Sequence, residues 1–428
     1  MTKLIRLLAA AYLLSLSVFI WGFVAGKYQV FPHQLLQPYV QEWMAYFTES
    51  HQDRVVDLVR FDHQERVNPH GLSGFQRVDS GFRDSGYLLI SRYSKSHGQT
   101  IVELFDLSSE EVLHTWVPDL GAIFGLTPGH QGGVNTLMAY RSQHPLLMNN
   151  GDLVIGSGEG PLVRIDQCGS PTWTIDRHFH HSIESDVDGN LVVPLVLDDP
   201  GDSDQIPFRD DGFAVISPEG SVLEEYSVSR ALIDNGYRGL LFGVGVFEPD
   251  RLHLNDVQPI PGVPAREGVL LSIRNLSSVA LLRPATGEIE WLQTGPWLNQ
   301  HDINPLEDGG YSIFGNDIVR GPEKILGDGR SQIYVYYPES GEIITPYSEV
   351  LERVDMHTGY EGRSTVLENG DVFIEETNRD RLLRVSRQGV RWVYVNGLTE
   401  STSGALHWSR YLPANSVSID WLEKVQCD

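Results

Sequence analysis

The sequence predicts an all-β chain, a six-bladed β-propeller behind an N-terminal transmembrane helix and a short helical linker. Three observations predict it. A turn signal containing glycine opens a β-forming run six times over. Each run is followed by a second, weaker turn and a strand carrying an aromatic residue. Past residue 71 no long segment shows the apolar spacing of a helix.

The six strong signals are Asp84-Ser85-Gly86 before Tyr87–Ile90, Asn150-Gly151-Asp152 before Leu153–Ile155, and Asp188-Gly189-Asn190 before Leu191–Val193. Glu267-Gly268 before Val269–Ile273, Asp308-Gly309-Gly310 before Tyr311–Phe314, and Asn369-Gly370-Asp371 before Val372–Ile374 complete the set. The weaker partners are Leu107–Trp116, Cys168–Ile175, Pro218–Tyr226, Ala285–Trp291, Pro338–Tyr347 and Gln388–Tyr394. Glycine-to-glycine gaps run from 38 to 79 residues, so insertions are uneven while the unit recurs. A unit of about forty residues with four short strands is a propeller blade, and closing the ring removes exposed strand edges. A long β-solenoid or two sandwiches is the competing architecture. The tail from Ala405 to Trp421 is expected to supply a strand or cover that finishes the ring.

At 428 residues with 41% apolar side chains, the chain is too rich in core-formers to be disordered. Lysine and arginine total 32 against 57 aspartates and glutamates, a net charge of −25. That balance excludes nucleic acid as a partner and requires a local cationic pocket for any anionic substrate. Two cysteines, Cys168 and Cys427, exclude a disulfide scaffold and a four-cysteine zinc site, and leave one bridge undecided.

The N-terminus reads as a membrane anchor. Lys3 and Arg6 precede an uncharged stretch from Leu7 to Gly26, and Lys27 follows at once. Twenty such residues at 1.5 Å each span about 30 Å, the thickness of the hydrocarbon core. A cleaved export signal is the alternative, although Val24-Ala25-Gly26 matches a cleavage site poorly. Either way the charges place Lys3 and Arg6 inside and the rest of the chain outside, in a bacterium an inner-membrane protein with its main domain in the periplasm. The expected divisions are 1–27 for the anchor, 28–70 for an amphipathic helical linker, and 71–428 for the propeller.

A propeller gathers residues from several blades at the mouth of its channel. No phosphate-binding loop, nucleophile elbow, HExxH or complete dinucleotide fingerprint is present. Histidine is the remaining reactive group. His180, His181, His253, His301 and His357 sit just ahead of repeat turns, and equivalent offsets in successive blades bring side chains to one rim. A single histidine of this kind is usually a hydrogen-bonded core residue; the repetition is what points to a site.

Four stretches then carry a resemblance. They are FHHSIESDVDGNLVV with His180-His181, LHLNDVQPI with His253 and Asn255, LLSIRNLSSVALLRPATGEIEW with Arg274, and NQHDINPLEDGGYSIFGND with His301. Together they resemble the arylsulfate sulfotransferases, bacterial periplasmic propeller enzymes that use no nucleotide sulfate donor. The resemblance implies ping-pong transfer of a sulfuryl group from an aryl sulfate to a phenolic acceptor, with no cofactor. It implies that His301 accepts the sulfuryl group transiently, that His253 and Arg274 hold the sulfate, and that His181 or His180 adds a ligand. Departures are the anchor in place of an N-terminal β-domain, no evident counterpart of the family's bridging cysteines, and Ser182 where an acidic residue is common.

Asn255 serves equally as a turn cap, and Arg274 as a strand-paired arginine. His357 and Arg363, ahead of the sixth turn, are candidates to line the same mouth. Trp173, Trp291, Trp297 and Trp392 read as blade packing, with stacking on an aryl group as the alternative for Trp297 just before His301. The acidic run Asp198, Asp199, Asp202, Asp204, Asp210, Asp211 lacks the spacing of a calcium loop and reads as a solvated segment. No metal site is expected, and a homo-oligomer is compatible with the chain. A non-catalytic propeller displaying its mouth to a glycan or protein, and an aryl sulfate hydrolase, are the competing functions.

Overall fold

The computed structural model describes residues 64–128, 140–197, 208–244, 249–320, 325–327 and 330–427. The anchor, most of the linker and Asp198–Asp204 lie outside the described residues. The chain divides into two units, residues 1–62 and 63–428. Among the described residues no helix is long and apolar enough to cross a membrane.

The second unit is all-β and propeller-like. It begins with two short strands, β1 (Glu65–Val67) and β2 (Gly74–Arg77), so regular β structure starts inside the span assigned to the linker. The first full sheet joins β3 (Tyr87–Ser94), β4 (Gln99–Asp106) and β5 (Glu111–Trp116). An eight-stranded sheet follows. It consists of β6 (Gln143–Leu147), β7 (Leu153–Gly156), β8 (Gly160–Ile165) and β9 (Pro171–Phe179), then β10 (Glu184–Ser185), β11 (Leu191–Val196), β12 (Asp211–Ile216) and β13 (Val222–Ser227). A single residue pair, Phe179 opposite Leu195, joins its two four-stranded halves.

Next comes a meander of β14 (Leu254–Pro259), β15 (Val269–Ile273), β16 (Ser278–Arg283) and β17 (Glu288–Thr294). Then β18 (Asp302–Pro305) and β19 (Tyr311–Gly315) pair with β22 (Gln332–Tyr337) and β23 (Glu342–Ile344), interrupted by the hairpin β20 (Val319–Arg320) and β21 (Ile325–Gly327). The last sheet is β24 (Arg363–Val366), β25 (Val372–Glu376), β26 (Arg381–Val385) and β27 (Val390–Val395), with β2 added at its outer edge. The tail returns through β28 (Thr402–Gly404), which pairs β1, and β29 (Arg410–Leu412), which becomes the innermost strand beside β3. The expectation that the tail supplies a strand is met.

Each glycine-bearing signal opens the second strand of its sheet or half-sheet: β3, β7, β11, β15, β19 and β25. These strands are apolar without alternation because both faces are buried. In β25, Val372 and Ile374 pack toward the preceding sheet while Phe373 packs toward the first. In β7, Leu153 and Ile155 face one neighbour and Val154 the other. Among the described residues, each of six apolar clusters lies between consecutive sheets or half-sheets.

Polar side chains at or just before the innermost strands, Ser182, Asp256 and Asp302, and Glu375 on the second strand β25, bond to the backbone of the next sheet. Val257 N donates to Ser182 Oγ (3.1 Å), Ile303 N to Asp256 Oδ2 (3.2 Å), Ser364 N to Asp302 Oδ2 (2.9 Å) and Trp408 N to Glu375 Oε1 (2.7 Å). Such bonds meet the demand that buried polar groups be paired, which pure strand contacts leave open here. Burial pushes Asp256 and Asp302 up, and Glu375 up to about 7. Four short helices fill surface gaps: α1 (Leu120–Leu126), α2 (Val228–Asp234), α3 (Arg238–Phe242) and α4 (Ser348–Arg353). Ser227 caps α2 through Arg230 N, and the apolar face of α2 joins the cluster between β12 and β14.

Candidate functional site

The segments that enter the innermost strands share an unusual backbone. Among the described residues, His144 (φ 51°), His181 (59°), His253 (51°), Asn299 (54°), Glu361 (60°) and Trp408 (58°) all adopt left-handed conformations. Non-glycine residues pay about 1 kcal/mol or more for this, and such outliers cluster at functional sites. These left-handed residues recur at the inner end of each sheet or half-sheet.

His181 is the centre of the candidate site. Its ring centroid lies 4.9 Å from His253, 5.0 Å from His180 and 5.3 Å from Trp408. His301 and His144 flank Trp408 at 6.4 and 5.4 Å. Four of the histidines expected from sequence, His180, His181, His253 and His301, therefore converge. No ring contact joins His357 to them among the described residues; its backbone N–H donates to Glu376 Oε1 (2.7 Å).

The individual environments differ. His301 is buried, with Nδ1 against Asn316 Oδ1 (2.6 Å) and Asn299 O (3.1 Å), while Nε2 accepts from Glu361 N (3.1 Å). His253 Nδ1 bonds the Asp250 carboxylate. Burial, then the His253, His180 and His301 charges, hold His181 well below the ordinary histidine range, so it is neutral near pH 7.

Arg274 sits at the turn after β15, with its N–H on His253 O (3.2 Å). It is 2% exposed. Its Nη1 donates to Asn275 Oδ1 (3.0 Å), its Nε has no partner, and no carboxylate pairs with it among the described residues. A strand-paired or solvated arginine is thereby excluded. Arg363 heads β24 and is also buried, 3.9 Å from Glu184, with Nε and Nη1 unpartnered among the described residues. Asn255 is a positioning residue: its Nδ2 holds Gln300 O (2.8 Å), one residue before His301.

Sequence reasoning missed Trp408, His144, Glu361 and Asp211. Trp408 and Arg410 come from the returning tail, so no repeat spacing marks them. Asp211 belongs to the acidic run read as solvated; it is instead fully buried against His180 and Arg209. Trp297 follows the blade-packing reading rather than the stacking alternative. It lies in the core between β16 and β22, against Tyr334 and Tyr336, away from the histidines.

The family model that matches this chain is that of the arylsulfotransferases (ASST), over residues 141–397. The chain belongs to the arylsulfotransferase family. The match spans all eight candidate residues, from His180 to Arg363. No curated protein matches the chain. A protein of unknown function from Bacteroides caccae is similar in structure at 12% identity and TM-score 0.49, covering 77% of this chain and 99% of that one. Hydrazine synthase of Kuenenia stuttgartiensis is 11% identical at TM-score 0.42, covering 67% and 71%. A virginiamycin B lyase from Staphylococcus aureus is 10% identical at TM-score 0.39, covering 81% and 89%.

Beside this candidate site lies His407, whose consequences are for stability. It is 2% exposed, its Nε2 contacts Gln64 Oε1 (3.1 Å), and burial with Arg141 and Arg66 holds its pKa well below 6.5. The unfolded chain takes up a proton near pH 6.5 that the folded chain refuses, so stability is full above that pH and falls below it. His407→Gln is expected to remove roughly 1 kcal/mol of the loss between about pH 7 and about pH 5.5. Urea titrations of both proteins at the two pH values test this; an unchanged pH dependence refutes it.

Proposed function

We propose that this chain is an aryl sulfate sulfotransferase that moves a sulfuryl group from an aryl sulfate to a phenol through a sulfonated His301. The observation that carries the proposal is Arg274, a buried guanidinium with no carboxylate partner among the described residues, whose backbone N–H bonds His253 O (3.2 Å). A buried cation of this kind is costly unless an anion arrives to pair with it. A sulfate ester offers that anion, and a guanidinium fork matches its oxygens. The sulfuryl group spreads charge over three oxygens as bonds to donor and acceptor loosen, so an in-line nucleophile and aimed donors suffice. His253 and Arg274 hold the oxygens, and His181 exchanges the proton of the aryl oxygen. Attack by His301 Nε2 first exchanges its bond from Glu361 N–H for the bond to sulfur, a cost of about 1 kcal/mol.

The fold we propose beneath this chemistry is a closed ring of six blades. The two halves of the eight-stranded sheet count separately because one residue pair joins them, and the apolar clusters then fill every gap between neighbours. We further propose an uncleaved Leu7–Gly26 anchor in the inner membrane with the ring in the periplasm. The Cys168–Cys427 disulfide supports an oxidising compartment. A reporter that works only outside the cytoplasm, fused after Asp428, is expected to be active; an inactive one sinks the topology.

The transfer is tested with a chromogenic aryl sulfate, with and without added phenol. Release that depends on phenol is the expected result; release without it means hydrolysis, and no release removes the enzyme reading. Arg274→Met is expected to slow transfer at least about a hundredfold and at the same time raise thermal stability, because an unpaired buried charge is replaced by an apolar chain of similar length. A fall in stability would instead make Arg274 a structural residue.

A further inference from the structure

Behind His181 runs a chain of charge that the transfer scheme leaves unused. Asp211, at the start of β12, is fully buried. Its Oδ1 accepts from Arg209 Nε (2.7 Å) and lies 3.6 Å from His180 Nε2, while Oδ2 accepts from Leu254 N (2.9 Å). His180 Nδ1 in turn lies 2.8 Å from His181 Nδ1. Two ring nitrogens at that separation share one proton, because two lone pairs would repel and two N–H groups would collide. The carboxylate on the far side of His180 makes that ring the place where an added positive charge is stabilised. Burial works to raise the Asp211 carboxyl, and the facing His180 and Arg209 charges outweigh it, holding it at about 2. Asp211 is therefore ionised at every working pH.

We propose that Asp211 and His180 form a proton store for His181, which protonates the departing aryl oxygen in the first half-reaction and deprotonates the incoming phenol in the second. The proposal rests on the sulfotransferase reading. In the loaded state His180 carries protons on both ring nitrogens and His181 carries one on Nε2. As His301 Nε2 bonds to sulfur, the sulfur–oxygen bond to the aryl group breaks and the aryl oxygen takes the Nε2 proton of His181. His181 Nδ1 then takes the shared proton, leaving His180 neutral with its remaining N–H toward Asp211. The phenol reverses each transfer: its proton goes to His181 Nε2, the Nδ1 proton returns to His180, and the sulfur–nitrogen bond breaks as the new sulfur–oxygen bond forms. Asp211 touches no substrate and is a positioning residue.

A structural role for Asp211 predicts something different, since its bonds to Arg209 and Leu254 serve every substrate alike. The test uses the full chain and single-turnover release of the phenol from two donors. 4-Nitrophenyl sulfate has a leaving group that needs no proton, whereas phenyl sulfate has one that does. Asp211→Asn is expected to slow release from phenyl sulfate by about a hundredfold and from 4-nitrophenyl sulfate by less than about threefold. His180→Gln leaves the Asp211 bonds in place and is expected to show the same contrast. Because both donors are compared within one preparation, partial misfolding cancels. Equal losses on both donors, or none on either, overturn the proton store. A parent protein that releases phenol from neither donor overturns the sulfotransferase reading itself, and the store with it.

Discussion

Replacement of His301 by asparagine is expected to stop sulfuryl transfer, with a fall of at least about four orders of magnitude, while the protein still folds. The surroundings of the ring decide which nitrogen reacts. Asn316 Nδ2 donates to Thr358 O (3.0 Å) and Glu361 O (2.8 Å), so its Oδ1 is the atom that faces His301 Nδ1. An oxygen there, with Asn299 O beside it, requires Nδ1 to carry the proton. Nε2 then holds the lone pair, in agreement with its accepting from Glu361 N. Asparagine keeps a polar group of similar reach but offers no lone pair able to displace a phenolate. Both half-reactions should therefore fail together, in contrast to Arg274→Met, which weakens the hold on the oxygens and leaves the nucleophile intact. Mass spectrometry after exposure to donor alone, quenched in alkali because a sulfonated imidazole is acid-labile, should find the added mass on the peptide containing His301. Full activity in the variant, or the adduct on His181, sinks the assignment.

The strands were legible in the sequence where physics leaves few choices. A second strand buried on both faces is apolar on both faces over its first residues, and its tight entry favours glycine at positive φ, as at Gly151 (87°), Gly189 (79°), Gly309 (85°) and Gly370 (77°). The later strands declared themselves through an aromatic, of which Trp116 and Trp392 are buried in the clusters between sheets. The innermost strands were illegible because Ser182, Asp256 and Asp302 serve as acceptors for a neighbouring sheet's backbone, a partnership invisible in local pattern. The same asymmetry governs the site. His180, His181, His253 and His301 recur ahead of their turns because each precedes an innermost strand. Trp408 holds the same position, but its sheet is completed by the far end of the chain, so its spacing from Gly86 carries no signal. Asp211 looked solvated because its neighbours in sequence are acidic, and only the approach of β12 to His180 gives it a buried partner.

That dependence on the far end of the chain makes the single disulfide the second large effect. Cys168 lies in the turn between β8 and β9, and Cys427 follows the tail, 259 residues later, with Cα atoms 5.4 Å apart. Between β27 and Cys427 the chain supplies β29, three residues long and paired with β3 at three positions. It also supplies His407 and Trp408, and Trp421, whose ring packs over Gly151 and against Trp116 so closely that no Cβ fits at Gly151. Besides these, the strand that completes the first sheet is held by Trp408 N on Glu375 Oε1 (2.7 Å) and by buried Arg410, whose Nε donates to Pro145 O (2.7 Å) and Nη1 to Glu184 Oε2 (3.0 Å). Closing a loop of this length removes about 5 kcal/mol of chain entropy from the unfolded state in the loop-closure model, a large share of a typical total of about 5–15 kcal/mol. The double variant Cys168→Ser/Cys427→Ser is accordingly expected to lose about 3–5 kcal/mol in denaturant titration. Its losses should begin locally: amide exchange should quicken first in Arg410–Leu412 and in Tyr87–Leu89 opposite. Because the same segment places Trp408 beside His181 and His301, transfer should decline at denaturant concentrations where the other sheets remain protected. Reductant added to the parent should reproduce both effects. Coincident loss of protection in every sheet would show that the bridge stabilises the ring as one cooperative unit, and unchanged stability would show that β29 and Trp421 hold the tail without it.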